Sequence, residues 1–145
     1  MYKNILVPTD GSELSGKAIR QAVALAKALK AKVTGFTVTI PFHVFALDPD
    51  TVTDTAESYA KRMSAAAAKY LEEVKNEAAA VGVSCAAVQT EHEHPYRAII
   101  EAGDKYGCDL IAMASHGRHG ISALVLGSET VKVLTHSNIP VLVYR

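Results

Sequence analysis

The residues best suited to chemistry lie in one stretch near the C-terminus, where a glycine-containing loop at residues 115–120 follows an apolar run. A second glycine, Gly127, comes shortly after it and is followed at once by Ser128. Glycine allows the backbone to approach a ligand closely, and the N–H groups of such a loop can surround an anion. Ser128 and Thr130 add hydroxyl groups, and Arg118 adds a positive charge. The pattern indicates a site for an anionic ligand.

Gly127 is the most unusual residue of this stretch, because the surrounding spacing predicts a helix from Ser122 to His136. Glycine inside a helix costs about 0.5–1 kcal/mol relative to alanine. We therefore expect a local reason for this glycine, either close packing or the close approach of a ligand.

The rest of the chain alternates short β-branched runs with longer helical patterns. The alternation predicts strands at residues 3–8, 31–39, 83–90, 108–114 and 139–144, and helices after Ser12, at 56–81, from Pro95 to Tyr106 and at 122–136. Residues 40–55 read as an irregular connection. Strands separated by helices favour a parallel sheet with right-handed crossovers. We expect one α/β domain over residues 1–145, with a five-stranded parallel sheet in the order 3-2-1-4-5 and helices on both faces.

Ligands of such sheets bind outside the carboxyl ends of the strands, where the strand order reverses. The loops after the first, second and fourth strands are therefore the ones that should form a site. The first of these loops begins with Asp10, which is also well suited to a turn or to a helix cap.

The spacing of the glycines resembles the nucleotide-binding motif of the universal stress protein family, which reads Gly-x-x-Gly, nine residues, then Gly-Ser or Gly-Thr. Here Gly117 is followed by nine residues and then by Gly127 and Ser128. The opening run at positions 7–12 and the closing run at 138–143 resemble the family's first and last strands, so the resemblance covers the whole chain. The first glycine of the motif is replaced by Ala114, whose added methyl group we expect to weaken nucleotide binding without abolishing it.

This resemblance implies a Rossmann-like fold that binds an adenine nucleotide, either ATP or ADP/AMP. It implies that Asp10 lies near the adenine and ribose, that Val38 and Thr39 contact the adenine edge, and that Met113 and Ala114 meet the ribose. The phosphates would be surrounded by Gly117, Gly127, Ser128 and Glu129, largely through main-chain amides and the Ser128 hydroxyl. The residues implied for binding are Pro8, Thr9, Asp10, Val38, Thr39, Met113, Ala114, His116, Gly117, Arg118, Gly120, Gly127, Ser128, Glu129 and Thr130.

A metal ion enters this picture only as Mg²⁺ bridged to the phosphates, since hard cations prefer oxygen ligands. The histidine pairs at 92/94 and 116/119 would lie about 14 Å apart if they follow the third and fourth strands of the expected sheet. That separation is too large for one zinc ion.

Three functions stay open. The first is a stress-response or regulatory module that binds nucleotide, the second a slow nucleotide hydrolase, and the third an interaction module with an empty cleft, which Ala114 would favour. The hydrolase is the weaker alternative, because the sequence has neither a GxxxxGK[ST] loop nor a GxSxG elbow. At most we expect a weak ATPase.

The charge balance and the last strand bear on partners. Fifteen basic and fifteen acidic side chains cancel, which predicts no general attraction to nucleic acid or to a membrane surface. The fifth strand would be an exposed edge with apolar Val141, Leu142 and Val143, and such edges are usually covered or paired. The family resemblance implies a homodimer through this strand. Cys85 and Cys108 form no CxxC pair, which favours reduced, buried thiols in a cytoplasmic protein.

Overall fold

The structure is a computed structural model that describes residues 1–46, 55–117 and 126–145. In chain order the described elements are β1 (Asn4–Pro8), α1 (Glu13–Leu29), β2 (Lys32–Thr39), α2 (Phe42–Phe45), α3 (Ala56–Ala80), β3 (Cys85–Glu91), α4 (Pro95–Lys105), β4 (Leu110–Ala114), α5 (Ser128–His136) and β5 (Val141–Tyr144). The connection at 40–55, predicted to be irregular, contains the short helix α2, and its residues 47–54 lie outside the described part.

The strands form one parallel sheet in the order β3-β2-β1-β4-β5, which confirms the predicted α/β fold and strand order. β1 is the central strand: Ile5 pairs with Val33 of β2 on one side and with Leu110 of β4 on the other. The β1 side chains Ile5, Leu6 and Val7 are completely buried, as expected of a strand covered on both faces.

Alternate residues of β1 belong to two separate hydrophobic cores. Ile5 and Val7 pack in a core that includes Ile19 of α1 and Val74 of α3, whereas Leu6 packs in a core with residues of α4 and α5. The sheet therefore carries α1 and α3 on one face and α4 and α5 on the other. Among the described residues, none of the helices combines the length and the apolar character that a membrane span requires.

The helix starts follow local capping rules. Ser12 caps α1 by accepting a hydrogen bond from the Ser15 N–H at 3.2 Å, as predicted. Pro95 occupies the first turn of α4, also as predicted. The last helix differs from its prediction, because Gly127 is the N-cap of α5, with extended backbone angles of φ −63° and ψ 152°. The prediction of a helix that runs through Gly127 is therefore wrong.

The two cysteines are free, but only one of them is buried. Cys108 is buried beneath α4, and Cys85 is half-buried because it lies on the edge strand β3. Loss of solvent contact raises the pKa of both thiols. The prediction of two buried thiols was therefore wrong for Cys85.

A close helix-to-sheet contact at Gly35 gives the first testable prediction. A Cβ atom at this position of β2 would lie 3.0 Å from Cγ1 and 3.2 Å from Cβ of Val74, a fully buried residue of α3. We expect Gly35→Ala to lower the free energy of unfolding by about 1–3 kcal/mol, because α3 must move away from the sheet. Urea denaturation measures the loss.

Val74→Ala supplies the control, since it removes the crowded methyl groups. The double variant should lose less free energy than the sum of the two single variants. Additive losses would show that crowding against Val74 is not the cause.

Candidate functional site

A cavity of about 520 Å³ lies at the carboxyl ends of β1, β2 and β4. The order of the strands reverses at this place, because β2 and β4 flank β1 on opposite sides. The volume is in the range of about 300–1,000 Å³ that small-molecule sites occupy. The lining residues are Pro8, Thr9, Asp10, Ser15, Phe36, Thr37, Val38, Ile40, Pro95, Ile99, Ala114, His116, Gly117, Gly127, Ser128, Glu129 and Thr130.

The apolar part of this lining comes from the end of β2 and the first turns of α4. Phe36, Val38 and Ile40 contribute from β2 and the residue after it, while Pro95 and Ile99 contribute from α4. Such a surface suits a planar, largely apolar ring. Apart from Val38, none of these residues was predicted for the site, although their positions at the end of a strand and at the start of a helix were a usable signal.

Asp10 joins the loop after β1 to the start of α1. Its Oδ1 atom accepts hydrogen bonds from the Ser15 hydroxyl at 2.7 Å and from the Ser12 N–H at 3.0 Å. Its Oδ2 atom faces Gly117, where an added Cβ would lie only 2.3 Å away. The absence of a side chain at Gly117 therefore lets the loops after β1 and β4 approach each other. Asp10 is thus a capping residue as well as a lining residue.

The start of α5 is held against the end of β4. The Gly127 N–H donates to the Ser115 carbonyl at 2.7 Å, and the buried Thr130 hydroxyl donates to the Ala114 carbonyl at 3.1 Å. A Cβ at Gly127 would lie 3.0 Å from the Cα atom of His116. Close packing against the β4 end is therefore the local reason for this glycine.

This geometry changes the expected role of the Gly127 amide. We expected this amide among the groups around the phosphates; in this structure its N–H donates to the Ser115 carbonyl. The next N–H groups, from Ser128 to Thr130, belong to the first turn of α5 and have no acceptor within the helix. Gly127 also provides no side-chain cap. The first turn of α5 can therefore bind an anion at the cavity wall.

Glu129 lines the cavity and also caps the neighbouring helix. Its Oε2 atom accepts a hydrogen bond from the Tyr96 N–H in the first turn of α4 at 2.9 Å. Its Oε1 atom lies 3.3 Å from the Lys132 Nζ atom. The negative charge at the N-terminus of α4 is favourable in itself, since the helix dipole is positive at that end.

The structure brings most of the predicted site residues together. Pro8, Thr9, Asp10, Val38, Ala114, His116, Gly117, Gly127, Ser128, Glu129 and Thr130 line the one cavity.

Four of the predicted site residues fall outside that set. Met113 is buried in the same hydrophobic core as Leu6 and does not line the cavity. Thr39 lines a neighbouring cavity of about 250 Å³, and its carbonyl accepts the His92 N–H at 3.0 Å. Arg118 and Gly120 lie outside the described residues.

Within residues 1–46, 55–117 and 126–145, no group of three or more His, Cys, Asp or Glu side chains is placed to hold a metal ion.

Comparison with known proteins agrees with the fold and the family resemblance. Residues 1–145 match the model of the Universal stress protein family. The chain belongs to the universal stress protein family. It is 30% identical to universal stress protein MJ0531 of Methanocaldococcus jannaschii, over all of this chain and 83% of that protein. The expected family membership is thereby confirmed.

Solved structures show the same fold. The structure of protein MJ0577, from the same organism, superimposes with a TM-score of 0.82 at 27% identity and covers 99% of this chain and 95% of that one. A universal stress protein solved in complex with cAMP superimposes with a TM-score of 0.73 at 24% identity over 99% and 97% of the two chains. At 24% identity the likeness concerns the fold alone.

The bond between Thr130 and Ala114 gives the second prediction. We expect Thr130→Val to lower the free energy of unfolding by about 1–3 kcal/mol, because a buried carbonyl loses its hydroxyl donor. Thr135→Val is the matched control: it removes a hydroxyl bond of 2.8 Å from the same helix, but at an exposed position. We expect the control to change stability by less than about 0.5 kcal/mol. Equal losses in urea denaturation would contradict a special role for Thr130.

Proposed function

We propose that this universal stress protein is a stress-response or regulatory module that binds an adenine nucleotide in the cavity at the carboxyl ends of β1, β2 and β4. The observation that carries the proposal is the division of a single cavity into two kinds of surface. One part is apolar and suits the adenine ring, and the other contains the first turn of α5, which suits a phosphate.

The adenine end is supported by the β2 side chains. Phe36 and Val38 provide an apolar wall, and Ile40 extends it beyond the end of the strand. Burial of an aromatic base against these uncharged side chains contributes hydrophobic free energy to binding.

The phosphate end is supported by the main chain of α5. The N–H groups of its first turn carry a partial positive charge, and the Ser128 side chain lies in the same lining. His116 adds an imidazole to the lining, which favours an anion when it is protonated. Mg²⁺, where it is present, would be bridged by the phosphates.

The connection after β2 offers a route from ligand to partner. The Tyr59 hydroxyl donates to the Ile40 carbonyl at 2.7 Å, so the cavity wall is bonded to α3. The Tyr59 ring also packs on Phe45 of α2, with ring centroids 4.3 Å apart. A nucleotide that contacts Ile40 would therefore stabilise α2 and the start of α3. A partner that binds this surface would then bind the nucleotide-loaded protein with a different affinity.

Binding is better supported than hydrolysis. The lining carboxylates within the described residues are those of Asp10 and Glu129, and each accepts a hydrogen bond from the first turn of a helix or its cap. A carboxylate held in this way is a poor general base, because proton transfer would cost it those bonds.

A solved relative is consistent with this proposal. The universal stress protein of the same fold that was crystallised with cAMP binds an adenine nucleotide. Because that protein is only 24% identical, its ligand supports the proposal less than the cavity of this chain does.

The third prediction tests nucleotide binding directly. Isothermal titration with AMP, ADP and ATP should show binding, and Gly127→Ala should weaken it at least about tenfold, because the Cβ forces the α5 first turn away from His116. Gly82→Ala is the control for a strained fold: its φ of +75° strains an alanine, but Gly82 does not line the cavity and its added Cβ meets no atom within 4 Å. It should leave nucleotide affinity unchanged. No heat of binding for any of the three at millimolar ligand would refute the proposal.

We also propose a cytoplasmic homodimer that forms through β5. The unpaired Cys85 and Cys108 fit a reducing compartment. β5 is an edge strand of the sheet, and Leu142 is 37% exposed on it. Nearby α5 exposes Val131 and Leu134. An apolar edge of this kind favours pairing with a second copy.

The fourth prediction concerns this dimer. Leu142→Lys should shift the protein to monomer in sedimentation at micromolar concentration, because a charge on the edge strand opposes pairing. Val81→Lys is the control, because Val81 is also 37% exposed. It lies between α3 and β3, and β3 forms the sheet edge opposite to β5. A wild-type protein that sediments only as a monomer would remove the dimer proposal.

A further inference from the structure

Glu129 has two properties that are difficult to combine in a phosphate site. It belongs to the first turn of α5, whose N–H groups we assign to a phosphate, and its carboxylate lines the same cavity. Asp10 is a second carboxylate in that lining. A nucleotide bound here therefore meets negative charge together with the favourable helix N-terminus.

The Glu129 carboxylate is held in place from two sides. Its Oε2 atom accepts the Tyr96 N–H at 2.9 Å, so the side chain cannot turn away without leaving the first turn of α4 uncapped. Its Oε1 atom lies 3.3 Å from the Lys132 ammonium. The Lys132 side chain is 47% exposed, and water screens an ion pair at such a position, so Lys132 offsets the carboxylate only in part.

A fixed carboxylate affects ligands according to their charge. A ligand with one phosphate gains the α5 amides and adds about two negative charges to the site. Each further phosphate adds negative charge but gains no further helix N-terminus within the described residues. The nearby N-terminus of α4 already has the Glu129 carboxylate as its hydrogen-bond acceptor. Coulomb repulsion between the carboxylate and the added charges grows with every phosphate.

We propose that Glu129 makes the cavity selective for a nucleoside monophosphate over a nucleoside triphosphate. The inference rests on the proposed function, since it concerns the same cavity. It assigns Glu129 as a specificity-determining residue whose position is set by the N-terminus of α4.

The test compares AMP with ATP in titrations that contain EDTA, so that no divalent cation reduces the charge of ATP. The wild-type protein should bind AMP more tightly than ATP. Glu129→Gln keeps an oxygen acceptor for the Tyr96 N–H but removes the charge, and it should raise the affinity for ATP relative to AMP about fivefold or more.

Two further variants complete the design. Glu101→Gln removes the same charge from an exposed α4 side chain outside the cavity, next to His92, and should leave the ATP-to-AMP ratio unchanged. Lys132→Gln removes the cation that offsets Glu129 and should lower the ratio. Lys132→Gln also keeps the inference testable if thermal unfolding shows that Glu129→Gln does not fold.

The outcomes separate the two proposals. If neither nucleotide binds to the wild-type protein, the nucleotide-binding function itself is overturned. If both bind but ATP binds more tightly than AMP, or if Glu129→Gln and Lys132→Gln leave the ratio unchanged, only the selectivity inference is overturned.

Discussion

The Gly127 N–H donates to the Ser115 carbonyl at 2.7 Å, and this short bond brings the start of α5 against the end of β4. A side chain at residue 127 would meet the His116 backbone at 3.0 Å, so the bond depends on a glycine. With it in place, the first turn of α5 faces the same cavity as the end of β2. Without it, the apolar and the anion-binding parts of the lining would not share one space.

The carboxylates of the site contribute to the fold before any ligand is present. Asp10 accepts bonds from the start of α1, and Glu129 accepts one from the start of α4. Each carboxylate accepts a hydrogen bond from an N–H group at a helix N-terminus, where the helix itself provides no acceptor. The cavity wall is therefore stabilised by the same groups that set its charge, which couples the stability of the protein to the chemistry of its ligand.

Much of the fold could be predicted from the sequence because β1 and β4 are buried on both faces. Burial of this kind requires continuous apolar runs, and the intervening helical patterns then determine a parallel sheet. The spacing of Gly117 and Gly127 likewise pointed to two residues that line the cavity. These features are local in the chain, so a single sequence displays them.

The remaining features depend on contacts between distant segments. Pro95 and Ile99 enter the cavity because α4 packs beside α5, and a position at the start of a helix does not by itself determine that packing. The direction of the Glu129 carboxylate depends on the Tyr96 N–H of another helix. The Ser115 acceptor of the Gly127 amide likewise becomes visible only when β4 and α5 are both placed.

The central position of β1 has a consequence for biosynthesis. One side of this strand can pair with β2 early, but the other side pairs with β4, through Ile5 and Leu110. A ribosome must therefore make about three quarters of the chain before the middle of the sheet can close, and until then the nascent protein has an open apolar strand edge. Contacts of such long range also slow folding. The interval in which a chaperone can act on this protein thus extends through most of its translation.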